Sequence, residues 1–286
     1  MNLEKYLEEK RIIIDNTLNK ILPEEGMEPA IIHQAMRYSV FSGGKRLRPF
    51  LALMTAEILG EKWEKVIYFA CGIELIHTFS LIHDDLPSID NDDFRRGKPS
   101  CHKVFGEDIA ILTGDALMIL GIQAILKNEE IKGIKKSTVL KVLKELTHYL
   151  GTENLLGGQI EDITMQEENA TREGFFKLYE KKTASLICAT IRGAALLCAA
   201  NKEELKALTK YGQNIGLSFQ ITDDILDLMQ DQREMKKYTY PHKFGLKESR
   251  KIVENLIQEA KKSIKIFGEK SAMLNSLADY ILSREK

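Results

Sequence analysis

Two groups of aspartates, far apart in the chain, have the residue types and the spacing to do chemistry. The first, Asp84-Asp85-Leu86-Pro87-Ser88-Ile89-Asp90, closes a long apolar stretch that runs from Val66 to His83. The second, Asp223-Asp224-Ile225-Leu226-Asp227, is flanked by Phe219, Ile221, Leu228 and Met229. Pro87 has no amide hydrogen and its ring crowds the preceding turn, so a helix must end or bend there and Asp90 can return beside Asp84 and Asp85. Asp223 and Asp227 lie one helical turn apart on a shared face. An acidic run by itself is more often a solvated helix end. Both of these runs are set in apolar sequence, where adjacent carboxylates repel one another and resist losing water unless cations neutralise them. Carboxylate oxygens suit a hard divalent ion, and magnesium, which keeps waters and shares its shell with substrate phosphates, matches such sparse sites. Two facing clusters of this kind imply a diphosphate held between them.

Basic residues at turns point the same way: Gly43-Gly44-Lys45-Arg46-Leu47-Arg48-Pro49, Arg95-Arg96-Gly97 and Lys181-Lys182-Thr183. Arginine offers a planar fork for phosphate oxygens, and amides freed by Gly43-Gly44 at a helix start add donors. Gly-Gly-Lys-Arg alone is more often an exposed turn, and the spacing is not that of a Walker loop. Together the three basic clusters suggest sites for two diphosphates.

The elements that must hold these groups are helices. Apolar residues recur at helical spacing almost everywhere, as in Val139, Val142, Leu143, Leu146 and Leu150, and strand-like alternation is nearly absent. Only 19 Gly and 6 Pro in 286 residues leave little material for the many tight turns of a sheet protein. Breaks at 23–29, 42–44, 60, 87–99, 106, 128–132, 151, 169–171, 201 and 238–245 outline ten or more helices. No low-complexity linker divides them, so residues 1–286 read as a single all-α bundle. A formal net charge of -1 gives nucleic acid no general footprint, so any anion site is local. Cys71, Cys101, Cys188 and Cys198 form no C-x-x-C pair, which argues against zinc and for a reducing compartment. The charged start of the chain is unlike a signal peptide. Two apolar stretches, 109–126 and 184–200, carry Asp115 and Arg192 and read as core helices rather than membrane spans. The expected location is the cytoplasm.

Taken in order, Gly43-Gly44-Lys45-Arg46-Leu47-Arg48-Pro49, Asp84-Asp85-(four residues)-Asp90 with Arg95-Arg96-Gly97, Gly114-Asp115-Ala116-Leu117, Gly157-Gly158-Gln159, Lys182-Thr183 and Phe219-Gln220-(two residues)-Asp223-Asp224-Ile225-Leu226-Asp227 resemble a trans-isoprenyl diphosphate synthase, of the polyprenyl synthetase family. The resemblance covers nearly the whole chain. It implies a magnesium-dependent prenyl transferase that joins isopentenyl diphosphate to an allylic diphosphate. By this resemblance Lys45, Arg48, His77 and Arg96 hold isopentenyl diphosphate, and Arg95, Lys182, Thr183 and Gln220 serve the allylic diphosphate. Asp84, Asp85 and Asp90 bind magnesium on one side, and Asp223, Asp224 and Asp227 on the other. A homodimer is the family's usual assembly. Phe79, five residues before Asp84, stands about one and a half turns deeper along the helix, and an aromatic there goes with farnesyl-length products in the family.

The chain departs from the family pattern after Asp227, where the usual Gly-Lys has no counterpart and only Lys237-Tyr238-Thr239-Tyr240 matches the last element, with Lys237 as a further substrate-binding residue. A terpene cyclase would carry Asn or Ser with Glu in its second metal group, and a non-catalytic synthase subunit would be expected to lose aspartates; the intact groups argue against both. A plain helical scaffold leaves both acidic groups unexplained. The division of the basic residues is testable by substitution. Arg48→Ala should raise the Michaelis constant for isopentenyl diphosphate more than that for the allylic substrate, and Lys182→Ala should do the reverse; equal effects on both substrates would undo the assignment.

Overall fold

A computed structural model describes residues 2–166, 170–230 and 238–284. Its described residues form fourteen α-helices and one short hairpin, an all-α architecture as expected. They group into two compact units, one of residues 2–53 and 63–139, the other of residues 54–62 and 140–286.

In chain order the helices of the first part are α1 (Leu3–Ile21), α2 (Ala30–Val40), α3 (Leu47–Ile58), α4 (Ile67–Asp84), α5 (Cys101–Phe105), α6 (Glu107–Leu126) and α7 (Lys136–Leu150), with strands β1 (Phe94–Arg95) and β2 (Lys98–Pro99) between α4 and α5. The first unit is organised on α4, which is apolar along most of its length and buries Phe69, Ile73, Leu75 and Ile76. Helix α6 lies against it at backbone distance. A Cβ on Gly72 would stand 2.6 Å from the Gly121 carbonyl oxygen, and a Cβ on Gly121 would stand 2.8 Å from that of Gly72. Further along, a Cβ on Gly114 would strike the His83 ring at 2.2 Å. Glycines on α4 and α6 therefore let the two helices approach to backbone distance, with Ile76, Ile125 and His83 packed into the space that a Cβ would fill. The first aspartate group begins at the end of α4.

Two features of this unit differ from the sequence reading. The hairpin was not legible, because strands of two residues carry no alternation; it turns on Arg96 and Gly97, both at positive φ (55° and 76°), the backbone that a two-residue primed turn requires. Helix α6 was expected to be a core helix, yet it buries one side only. Ile111, Leu112, Ile119 and Leu126 are exposed. By length and composition α6 is apolar enough to cross a membrane.

The second unit holds most of α7, from residue 140 on, together with α8 (Leu155–Ile163), α9 (Arg172–Tyr179), a π-helical turn at Glu180–Ala184, α10 (Ser185–Leu197), α11 (Lys202–Gln230), α12 (Tyr240–Phe244), α13 (Leu246–Ser263) and α14 (Ala272–Leu282). Every residue of α10 is buried except Arg192, and that guanidinium is met by both oxygens of Glu145 at 2.7 and 2.9 Å and by Thr209 at 2.8 Å. The π turn is held by two glycines. A Cβ on Gly158 of α8 would come within 2.5 Å of the Lys182 nitrogen, and one on Gly216 of α11 within 2.5 Å of Ala184 Cα. The extra residue of a π turn shifts the register of the side chains beyond it. Here it presents Lys182 and Thr183 between α8 and α11.

The glycine contact of α4 with α6 yields a direct test. Gly121→Val should lower stability by about 1–3 kcal/mol or more, since a Cβ there would meet both the Ile76 side chain at 2.7 Å and the Gly72 carbonyl at 2.8 Å. Gly26→Ala, which enters open space, should leave the thermal midpoint unchanged.

Candidate active site

In the first unit the site is built from the loop before α3, from α4 and from the turn and hairpin after it. Gly43 and Gly44 have positive φ (110° and 113°), and the loop they form is anchored by Arg46. The Arg46 guanidinium is buried and donates to Asp15 of α1 at 2.9 Å, Glu74 of α4 at 3.0 Å and the Val40 carbonyl at 2.8 Å. Arg46 is thus the structural member of the motif. Lys45 is exposed and Arg48 buried, on either side of it.

Gly44 has a second task. The Arg96 Nη1 donates to the Gly43 carbonyl at 2.6 Å, and a Cβ on Gly44 would stand 2.4 Å from that nitrogen. Two basic motifs about 50 residues apart in sequence are thereby one structure. His77 is half-buried on α4. Burial first, then Arg48, Arg96, Arg95 and Arg46, push its pKa well below the usual imidazole value. Neutral, it can still offer a hydrogen bond in a cationic neighbourhood suited to a polyanion.

The aspartates fall where Pro87 predicts. Helix α4 ends at Asp84, and the Asp90 N–H donates to the Asp84 carbonyl at 2.9 Å, which returns Asp90 to the helix end. Asp84 and Asp90 are half-buried. Asp85 is 3% exposed and turned inward, where Arg95 holds its Oδ1 with Nε at 2.9 Å and also with Nη2, while reaching Asp92 at 3.2 Å. Burial raises the Asp85 pKa more than Arg95 lowers it. Arg95, expected on a substrate, rests on Asp85 in this structure.

The second unit repeats that division. Asp224 is 6% exposed and both its oxygens are engaged, Oδ1 by Gln220 Nε2 at 2.8 Å and Oδ2 by the Tyr179 hydroxyl. Burial pushes its pKa up to about 7, against the lowering effect of those two bonds. Thr183 donates to Gln220 Oε1 at 2.5 Å, so the two residues expected on the allylic diphosphate support Asp224 together. Asp223 is half-buried and Asp227 exposed. Asp223 Oδ1 is met at 2.7 Å by Arg284, whose guanidinium lies 4.9 Å from the Phe219 ring centre. Lys182 Nζ sits 2.6 Å from Asp162 Oδ2, one helical turn beyond Gln159 on α8. Lys237 lies outside the described residues.

Asp162, Tyr179 and Arg284 were not singled out from sequence. Asp162 stands three residues after Gln159, on the same helix face, and that spacing could have found it. Tyr179 and Arg284 have no such local signal.

Among the described residues no three Asp, Glu, His or Cys side chains converge to hold a metal by themselves. The donors present are carboxylate oxygens, a set that fits magnesium completing its shell with water and phosphate.

Residues 29–270 match the polyprenyl synthetase family, across most of the chain and through all of the motifs above. The chain belongs to that family. It is 40% identical over 294 residues to a geranylgeranyl diphosphate synthase of Cyanophora paradoxa, covering 99% of this chain and 97% of that protein. It is equally 40% identical to a dimethylallyltranstransferase of Fischerella ambigua, over 99% of this chain and 84% of the relative. Among solved structures, an FPP/GFPP synthase of Zymomonas mobilis superposes with a TM-score of 0.90 at 32% identity, over 99% of each chain. A geranyltransferase of Legionella pneumophila superposes with a TM-score of 0.85 at 33% identity, over 99% of this chain and 96% of that one. Family and fold together make this chain a short-chain trans-prenyltransferase.

The state of His77 has a consequence for acid stability. Its folded pKa lies below the unfolded value near 6.5, so the unfolded chain takes up the proton first and stability falls as pH drops below about 6.5. His77→Gln should flatten that part of the dependence. Urea unfolding at pH 7.5 and 5 checks it, and an identical loss in mutant and wild type would exclude His77 as the cause.

Proposed function

We propose that this chain condenses isopentenyl diphosphate with dimethylallyl and geranyl diphosphates to give farnesyl diphosphate, with magnesium as its metal. The observation that carries the reading is the same pairing in each unit, an acidic group with one inward carboxylate and two more accessible ones, supported by basic side chains on adjoining turns.

Asp84, Asp90, Asp223 and Asp227 would hold the magnesium, with Asp85 and Asp224 behind them, and the metal when bound supplies positive charge to the departing diphosphate. Lys182 and Arg95 would release their carboxylates in part to receive the allylic diphosphate, and Lys45, Arg48, Arg96 and neutral His77 would bind isopentenyl diphosphate. The allylic C–O bond breaks with its electron pair going to diphosphate. The isopentenyl double bond attacks the resulting carbon centre, and the proton lost on forming the new double bond goes to the released diphosphate. No protein nucleophile is required. Apolar walls would keep water from the cation.

Phe79 supports a fifteen-carbon product. It stands half-buried on α4 with its ring edge-on to His83 at 4.9 Å, below the first aspartates. A second reading, a twenty-carbon product, is favoured by the name of the relative from Cyanophora paradoxa. A homodimer belongs to the proposal as well, with the exposed apolar residues of α6 as its support. Four free, buried cysteines support a reducing, cytoplasmic setting.

Purified protein given each allylic starter with isopentenyl diphosphate and magnesium should yield products that stop at fifteen carbons, and Phe79→Ala should extend them to twenty or more. Asp84→Ala or Asp223→Ala should cost at least about a hundredfold in turnover. Undiminished turnover in EDTA would sink the metal-dependent mechanism, and a wild-type ladder ending at twenty would select the second reading.

A further inference from the structure

Tyr179, the last residue of α9, joins three elements at one oxygen atom. A phenol has a single hydrogen to donate and lone pairs to accept. The hydrogen goes to Asp224 Oδ2 on α11, and the backbone N–H of Tyr240, at the start of α12, donates to the same phenolic oxygen from 2.9 Å. Tyr179 is 5% exposed, Asp224 6% and Tyr240 0%, so solvent has no ready access to take over either bond. Gln220 fills the other Asp224 oxygen from within α11 itself. Tyr179 is therefore the partner that fixes this carboxylate from outside its own helix.

A carboxylate fixed from outside also fixes the rotation of the helix that carries it. Asp223 precedes Asp224 and Asp227 comes three residues after it, so the direction in which both point depends on where Asp224 is held. We propose that Tyr179 is a positioning residue of the second acidic group. Through Asp224 it aims the Asp223 and Asp227 carboxylates for a divalent cation carrying a diphosphate, and through the Tyr240 amide it ties that aim to the start of α12. The inference rests on the function proposed above.

The test is Tyr179→Phe, which keeps the ring that lies 5.8 Å from Phe175 and removes only the hydroxyl. Manganese binding, followed by electron paramagnetic resonance of the free ion with inorganic diphosphate present, reads the group without turnover. Half-saturation should need about tenfold more manganese in the variant, the scale of a lost hydrogen bond to a charged group. In turnover, the Michaelis constant for the allylic substrate should rise while that for isopentenyl diphosphate holds within about twofold. Asp224→Asn supplies the second arm. If Tyr179 acts through Asp224, the double variant binds manganese no more weakly than Asp224→Asn alone. Wild-type manganese affinity in folded Tyr179→Phe, equal rises in both Michaelis constants, or additive losses in the double variant would each overturn the inference. Wild-type protein that binds no manganese with diphosphate would overturn the proposed function along with it.

Discussion

A carboxylate withdrawn from water needs donors, and in this chain each such carboxylate takes at least one from an element other than its own. Glu74 is met by Arg46, Asp85 by Arg95, Asp162 by Lys182, and Asp224 by Tyr179 as well as by Gln220 on its own helix. Removing one member of such a pair leaves an uncompensated charge or polar group, which costs far more than the pair is worth when intact. Each pair therefore pins two segments together. Glu74 draws the glycine loop onto α4, Asp85 draws the hairpin onto the end of α4, and Asp224 draws α9 and α12 onto α11. The positions of the accessible aspartates depend on those inward ones.

The same logic explains why the glycines matter more for distance than for flexibility. Gly72 and Gly121 let α4 and α6 touch through backbone, and Gly158 and Gly216 let α8 and α11 close on the π turn. A side chain at any of these four positions would move a helix, and with it the end of that helix where charged groups are displayed. Steric room in the scaffold is thus a condition for the electrostatics of the site.

Most of the helices were legible because burial on one face imposes a period that sequence records. The aspartate groups were legible because several charges in apolar surroundings demand an explanation, and Pro87 showed that Asp90 must turn back. The hidden features depend on partners distant in sequence. Arg46 and Arg48 are chemically alike and two residues apart, and only Glu74 and Asp15 mark the first as structural. Thr183 and Gln220 read as substrate ligands, and the sequence does not reveal that the fold also joins them to each other, with Asp224 at the end of the chain of bonds. Tyr179 sits in an ordinary amphipathic turn, and its role appears only once α11 and α12 are in place. The exposed side of α6 was hidden for the opposite reason, since its composition is apolar all round and so gives no direction.

The guanidinium of Arg96 rests where a side chain at Gly44 would have to go. In the inheritance of this sequence the two positions therefore form one character. A change at residue 44 alone evicts an arginine contributed by the hairpin, and a change at residue 96 alone removes that contact but leaves residue 44 at its positive φ, which still favours glycine. Recombination that exchanged the loop before α3 with that of a relative, while keeping the native hairpin, would break a pairing that neither segment displays by itself. A crossover between residues 44 and 96 is compatible with this fold only where it keeps glycine at 44 opposite Arg96.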